Sequence, residues 1–213
     1  MGVPVRGRAN NTRSKLAKSE ATRQRLCEAT EALLEQKPLR LLKVTDITVA
    51  ASVSPATFYV YFADVEEAVL AVLDAIQTDM PDFGQYLANV GPDRLESSIR
   101  AMVVAYLSFS ERHYAVLRVR NLAADEGQIK FREARRKMLH GLQDSLQAKI
   151  EECRGHTVGK DKAPAAAITI VLMGALERLA AFARTQLGGR DITRRKLIDA
   201  TVVVISATLR GEM

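Results

Sequence analysis

Apolar residues recur at helical spacing along most of this chain, interrupted by Pro, Gly and short polar clusters. From Ser19 to Gln36, Leu26, Ala29 and Leu33 fall on one side and Glu28, Glu31 and Glu35 on the other. That is the 3.6-residue period of an amphipathic helix. Ser19 is placed to cap it, and Pro38 follows its end. Thr45 precedes a two-turn apolar segment from Ile47 to Ala51. Ser54-Pro55 combines an N-cap oxygen donor with Pro at the first helical position, and starts a third, short helix ending near Phe62. Asp64 with Glu67 three residues on has capping-box spacing and opens a fourth helix, which Pro81 ends.

Asp93 and Glu96 repeat that spacing and open a helix to about Arg112. A shorter helix is predicted from Ala115 to Ala124, and a long one from Gln128 to Glu152, closed by Gly155. Val158 to Lys162 reads as a polar loop. Two apolar helices follow, Ala165 to Gln186 and Thr193 to Leu209, separated by Gly188-Gly189. The β-branched run Thr201 to Ile205 has helix-like flanks and is read with them. Nine helices and no strand predict an all-α fold, and no internal repeat is visible.

Composition agrees. The 213 residues are 47% hydrophobic and 26% charged, which excludes a wholly disordered chain. Aromatics at 5%, no Trp and few Pro and Gly argue against a turn-dense β fold. Cys27 and Cys153 have no CxxC partner and read as reduced thiols of a cytoplasmic protein. The apolar stretch Ala163 to Ala183 is broken by Glu177 and Arg178, so it is read as a buried helix and not a membrane span. The opening residues lack a signal-peptide run. The formal net charge is +6. Residues 1–25 hold Arg6, Arg8, Arg13, Lys15, Lys18, Arg23 and Arg25 against Glu20 alone, so the whole excess sits there. Residues 1–18 have no core-forming run and are expected to be a flexible basic arm.

Three short helices over 19–62 have the order and size of a helix-turn-helix unit. At 100° per residue, Phe58, Phe62 and the ring of Pro55 share one face and are expected to pack inward. Ala56, Thr57 and Val60 fall opposite, flanked by Tyr59 and Tyr61. Such a face suits a major groove: Thr bonds base edges, and the methyls of Ala, Thr and Val meet a thymine methyl. Tyr hydroxyls bond phosphates, and amides at the helix starts near Thr45 and Ser54 do the same. Arg13 and Lys15 of the arm are expected nearest the duplex.

The run from Val44 to Phe62, VTDITVAASVSPATFYVYF, resembles the helix-turn-helix of the TetR family of transcriptional regulators, most specifically in its TFYxYF element at 57–62. The resemblance is close from Ser19 to Leu73 and one of layout beyond. It implies an all-helical homodimeric repressor with an N-terminal DNA-reading domain, here 19–63, and a ligand-binding and dimerisation domain, here 64–213. By motif position it places Thr45, Ser54, Thr57, Tyr59 and Tyr61 near DNA. Two residues depart from the pattern. Ser52 stands in the turn where the family often has Gly, so a positive φ is avoided or strained there. Val65 stands where it often has a phosphate-binding Lys, a contact the arm is expected to supply.

The rest of the chain carries no catalytic grouping and no phosphate- or dinucleotide-binding motif, so neither an enzyme nor a cofactor is expected. His113, His140 and His156 lack metal-ligand spacing, and Cys153 with His156 is only two potential ligands. The resemblance implies an effector pocket for a small hydrophobic molecule. Its candidate walls are Met102, Tyr106 and Phe109, then Leu122, then Met138 and Leu142, then Met173 and Leu176, with Glu177 as a polar tip. Glu177 and Arg178 either pair or line that cavity. The last two helices are apolar on more than one stripe, so a second copy is expected to cover Ile168, Leu172 and Leu179 with Ile198, Val202, Ile205 and Leu209 in a four-helix interface. A twofold dimer implies a palindromic DNA operator. Alternatives stay open: a sequence-indifferent DNA-organising protein, a TetR-like activator, or a helical enzyme or carrier with a vestigial helix-turn-helix.

Overall fold

The computed structural model describes residues 6–154, 163–184 and 192–211. Among them every regular element is helical: nine helices of seven or more residues, one single-turn helix and two 3-10 turns. The chain forms two compact units, 1–76 and 77–213. The expected loop at 158–162, the glycine pair at 188–189 and His156 lie outside the described residues.

The first unit contains α1 (Arg6–Leu34), α2 (Val44–Ala50), α3 (Pro55–Tyr61) and α4 (Val65–Ile76). α1 starts thirteen residues before the expected Ser19 cap, so 6–18 continue the helix and are not a separate arm. No Pro or Gly follows Gly7 before Pro38, and Ala9, Arg13, Lys15, Ala17 and Lys18 are strong helix formers. A charge run therefore extends a helix that Leu26 and Leu34, both buried, anchor further on. α1 packs on α2 and α4, and α2 on α3. Leu26, Thr30 and Leu34 of α1 meet a core made with Ile47, Phe58, Val69, Val72 and Leu73, all at most 2% exposed. The Thr30 hydroxyl donates to the Leu26 carbonyl at 2.7 Å, which satisfies it in that core. Asp64 and Glu67 cap α4: the Glu67 N–H donates to Asp64 Oδ1 at 2.8 Å, and the Ala63 N–H to Glu67 Oε2 at 2.6 Å. α4 belongs with this unit because its apolar face packs on α1, so the unit runs past residue 63.

The second unit contains α5 (Gly84–Leu87), α6 (Pro92–Arg112), α7 (Tyr114–Asp125), α8 (Ile129–Arg154), α9 (Ala165–Arg184) and α10 (Arg194–Arg210). α5 was not expected; the Asp82 carboxylate accepts the Gly84 N–H at 3.0 Å and starts it. α6 opens at Pro92 with Gly91 as cap, so Asp93 lies inside the first turn rather than before it. α6 packs on α5, α9 and α10, and α8 on α5, α7, α9 and α10. Their shared core includes Ile99, Val103, Leu142, Leu146, Val202 and Leu209. Polar ties lock the rim. Arg100 donates to Asp199 at 2.5 Å, Arg194 to Glu111 at 2.7 Å, and the buried Lys149 ammonium to the Val90 carbonyl at 2.7 Å.

The dimer residues expected from sequence need correction. Leu172, Ile198, Val202, Ile205 and Leu209 are at most 6% exposed inside their own chain, and Ile168 and Leu179 pack against the same core. The first five are consumed by the subunit's own fold, whereas Ile168 and Leu179 stay half-buried. The apolar side chains left at the surface of α9 and α10 are Ile170, Val171, Val203 and Val204, at 46–70% exposed, and Phe182 at 37%. α9 is therefore not buried all round. It is long and apolar enough to cross a membrane by length and composition, but one side of it packs on α6 and α8.

Candidate nucleic-acid interface and ligand cleft

The sequence of α3 sorts its side chains by face. Phe58 is fully buried and Phe62 nearly so, with rings 5.6 Å apart, and the Arg23 guanidinium lies 5.7 Å from the Phe62 ring. Pro55 is exposed, so it does not join them as its angular position predicts; it occupies the first turn, beyond the end of the core. Ala56 is exposed, Tyr59 is 60% and Val60 76% exposed, and Thr57 is half-buried. Tyr61 is half-buried too, and its hydroxyl lies 3.2 Å from Ser19 Oγ. On α2, Thr45 is exposed, as is Val49 at 79%. Val49 lies inside the apolar segment from Ile47 to Ala51, so its residue type gives no sign of its exposure. Lys15 is exposed on α1; the Arg13 side chain lies outside the described residues.

Local hydrogen bonds fix this presentation. Ser54 Oγ accepts the Thr57 N–H at 3.1 Å and lies 2.9 Å from Thr57 Oγ1. Asp46 Oδ2 accepts the Lys43 N–H at 2.9 Å and an ion pair from Lys37 at 3.1 Å. Those bonds hold the Asp46 carboxyl below the usual carboxylate range, the Lys43 amide being the stronger cause. One amide at the start of each of these helices is thus already satisfied. The turn between them is a Schellman closure: the Val53 N–H donates to the Thr48 carbonyl at 3.0 Å and the Ser52 N–H to the Val49 carbonyl at 3.2 Å. That closure requires a left-handed residue, and Ser52 adopts φ +54°. Of the two outcomes expected there, the strained one is found.

In the second unit a cleft of about 260 Å³ opens between α6, α7, α8 and α9. Tyr106, Leu122 and Glu177, all named from sequence, line it, and Leu122 is 57% exposed. Met173 lines a neighbouring cleft that shares Asp125, Arg135, Gly174 and Glu177 with the first. Met102, Phe109, Leu142 and Leu176 are buried and line neither, and Met138 is reached through Arg120.

The centre of the cleft is an ion network. Glu177 bridges Arg120 of α7, Nη2 to Oε1 at 3.1 Å, and Arg135 of α8, Nε to either oxygen at 3.2 Å with a further short bond from Nη2. Arg135 also reaches Asp125 at 3.1 Å. The Arg120 side chain is 3% exposed and that of Glu177 9%. Burial lowers the Arg120 guanidinium from its ordinary value and Glu177 opposes the shift; the hydrogen bonds that Arg135 donates to Glu177 raise Arg135. Burial, and then Glu177, push the Tyr106 phenol far above its usual value. Glu177 thus pairs across helices and not with Arg178, which lies over the Phe182 ring at 4.5 Å. Among the described residues no group of three potential metal ligands occurs.

A profile for the tetracyclin repressor-like C-terminal domain matches residues 94–211, more than half of the chain. The chain belongs to the TetR family. Solved TetR-family structures share its fold at low identity. A transcriptional regulator from Syntrophomonas wolfei superposes with a TM-score of 0.66 at 15% identity, covering 91% of this chain and 97% of the other. One from Mesorhizobium loti gives 0.66 at 14%, with the same coverage. FadR from Bacillus subtilis, solved in complex with stearoyl-CoA, gives 0.65 at 13%, covering 88% and 98%. No curated protein matches in sequence. This TetR-family chain therefore has the helix-turn-helix regulator fold.

Sequence reasoning missed Arg120 and Arg135, although a signal was present. Arg120 sits at the register of Val116, Ala123 and Ala124, and Arg135 at that of Phe131, Met138 and Leu139, all buried. A cation on the apolar face of its helix must find a buried anion or leave the core.

Proposed function

We propose that this TetR-family chain is a homodimeric, ligand-responsive transcriptional repressor that acts in the cytoplasm, binds a palindromic DNA operator and is released by a small hydrophobic effector. The observation that carries DNA binding is the sorting of α3. Phe58 and Phe62 are spent on the core, while Ala56, Thr57, Tyr59 and Val60 are presented outward behind a Ser54 cap. Thr57 and the methyls read base edges, Tyr59 and Thr45 bond phosphates, and Ser54 and Tyr61 hold the helix in place. Lys15, with Arg13, supplies the electrostatic attraction that the absent Lys at Val65 does not.

Homodimerisation draws on the exposed Ile170, Val171, Val203 and Val204, a patch that a lone chain leaves in water. A twofold pair sets two reading helices about 34–36 Å apart, one turn of DNA. Effector binding in the second unit shifts the population towards a state whose reading helices no longer match that spacing. The cleft around Glu177 supports that part. The family reading is non-enzymatic.

The test is a competition shift assay. Selected operator DNA should outcompete random DNA by about 10³-fold or more, and replacing Thr57 and Tyr59 together by Ala should abolish the preference while the dimer stays folded. Equal affinity for both DNAs favours the sequence-indifferent alternative. Removing residues 1–15 should weaken binding to every sequence and flatten its salt dependence.

A further inference from the structure

The cleft around Glu177 has a charge balance unlike that of an apolar effector site. Four guanidiniums line it, Arg118, Arg120, Arg135 and Arg178, against the carboxylates of Asp125 and Glu177. Arg135, a third exposed, is also paired with the 70% exposed Asp125, so Glu177 is the one buried carboxylate that the buried Arg120 meets. Arg120 is the less well served. Its Nε and Nη2 donate to Asn121 Oδ1 at 3.0 and 2.8 Å, and Nη2 also to Glu177. Its Nη1 donates to the Met138 thioether at 2.9 Å, a weak acceptor for a buried cation. A buried guanidinium with a sulfur in place of an oxygen acceptor, facing a cleft, has room for a better partner.

The other walls set the rest of the ligand. Tyr106 and Tyr114 offer ring surface, and Leu117, Leu122, Ala180 and Ala181 apolar surface. About 260 Å³ accommodates roughly a dozen non-hydrogen atoms, and the neighbouring cleft of about 570 Å³ adjoins it at Arg135 and Glu177. We propose that the cleft binds a small aromatic carboxylate whose head group docks on Arg120 and Arg135, with Glu177 as the resident counter-ion it competes with, and whose ring lies against Tyr106 and Tyr114. The cleft is thereby specific for an anion with a flat apolar body. This rests on the reading of the second unit as an effector-sensing unit, and replaces the purely hydrophobic effector of that reading with an aromatic anion.

The test uses the full-length protein with 2-naphthoate and its neutral isostere 2-naphthamide, by calorimetric titration and thermal melting. The carboxylate should bind one per chain and at least tenfold more tightly than the amide. Glu177→Gln removes the competing anion. This variant should melt lower than wild type, bind 2-naphthoate several-fold more tightly, and regain more of its melting temperature from 2-naphthoate than wild type gains. Arg120→Met should lose the preference for carboxylate over amide; should it fail to fold, the Glu177→Gln comparison decides. Equal binding of acid and amide, binding of neither, or unchanged affinity in Glu177→Gln overturns the proposal. Release of operator DNA is read separately. Tight binding of 2-naphthoate without DNA release upholds the anion site and sinks the effector role. DNA release by the amide at equal affinity does the reverse.

Discussion

Ser19 and Tyr61 stand forty-two residues apart, and their hydroxyls lie 3.2 Å apart. The bond ties the middle of α1 to the last residue of α3. Tyr61, placed near DNA by sequence, thus has a partner inside its own unit, whereas Tyr59 is 60% exposed. Tyr61→Phe should cost stability, about 1 kcal/mol or less because the bond is at the surface. Tyr59→Phe should leave stability unchanged and weaken operator binding. Chemical denaturation and titration on operator DNA, both variants side by side, separate the two roles.

Ser52 holds a left-handed conformation at the turn of the helix-turn-helix. A residue with a Cβ is strained there by about 1–2 kcal/mol. Gly avoids the strain but has more freedom to lose on folding, so Ser52→Gly should stabilise by about 0.5–1 kcal/mol. Ser52→Val should destabilise, because a β-branched side chain fits that region worst. Urea midpoints of the two variants should move in opposite directions.

Asp46 gives a pH signature. Its carboxyl is held low by the Lys43 amide and then by Lys37. A depressed folded value means that the stabilisation is present above the unfolded carboxylate value and lost as pH falls through the folded one. Asp46→Asn should therefore melt lower than wild type at neutral pH, and the gap should close in acid, below the ordinary Asp range. A gap that stays constant down to the lowest pH would show that the charge is not what matters.

The surface of α9 and α10 separates association from folding. Val171→Asp with Val203→Asp, both exposed in the chain, should give folded monomers by light scattering and circular dichroism, with operator affinity greatly reduced. Ile205→Ala, at 1% exposure, should instead cost about 2–5 kcal/mol of unfolding free energy. A folded dimer in the double Asp variant would move the interface elsewhere.

The helices were legible because their signals agree. Apolar period, Ser54-Pro55 and Asp64 with Glu67 each mark the same boundaries, and the structure keeps them. The outward set on α3 followed from angular position alone, save for Pro55. Three things were not legible. The start of α1 has no cap signal, since a helix running back through Arg and Lys leaves only propensity to read. On α9 and α10, period gives two apolar stripes but does not say which one the chain's own core consumes. Arg120 and Arg118 differ by two positions in one helix, and only the burial of Val116 and Ala123 picks out the first as interior.

The length of α1 has a consequence for its charges. Twenty-nine residues in one helix span about 43 Å. Lys15, Lys18 and Arg25 fall within about 80° of one another around that axis, at 100° per residue. Cations on a loose tail tolerate insertions, because the tail readjusts. Here the charges have a phase. Two residues inserted between Lys18 and Arg25 would carry Arg25 to about 180° from Lys18 and about 120° from Lys15, while seven would nearly restore the alignment at greater reach. The spacing of basic residues ahead of the helix-turn-helix is thus set in units of the helical turn, as the spacing of DNA sites is set by the turn of the duplex.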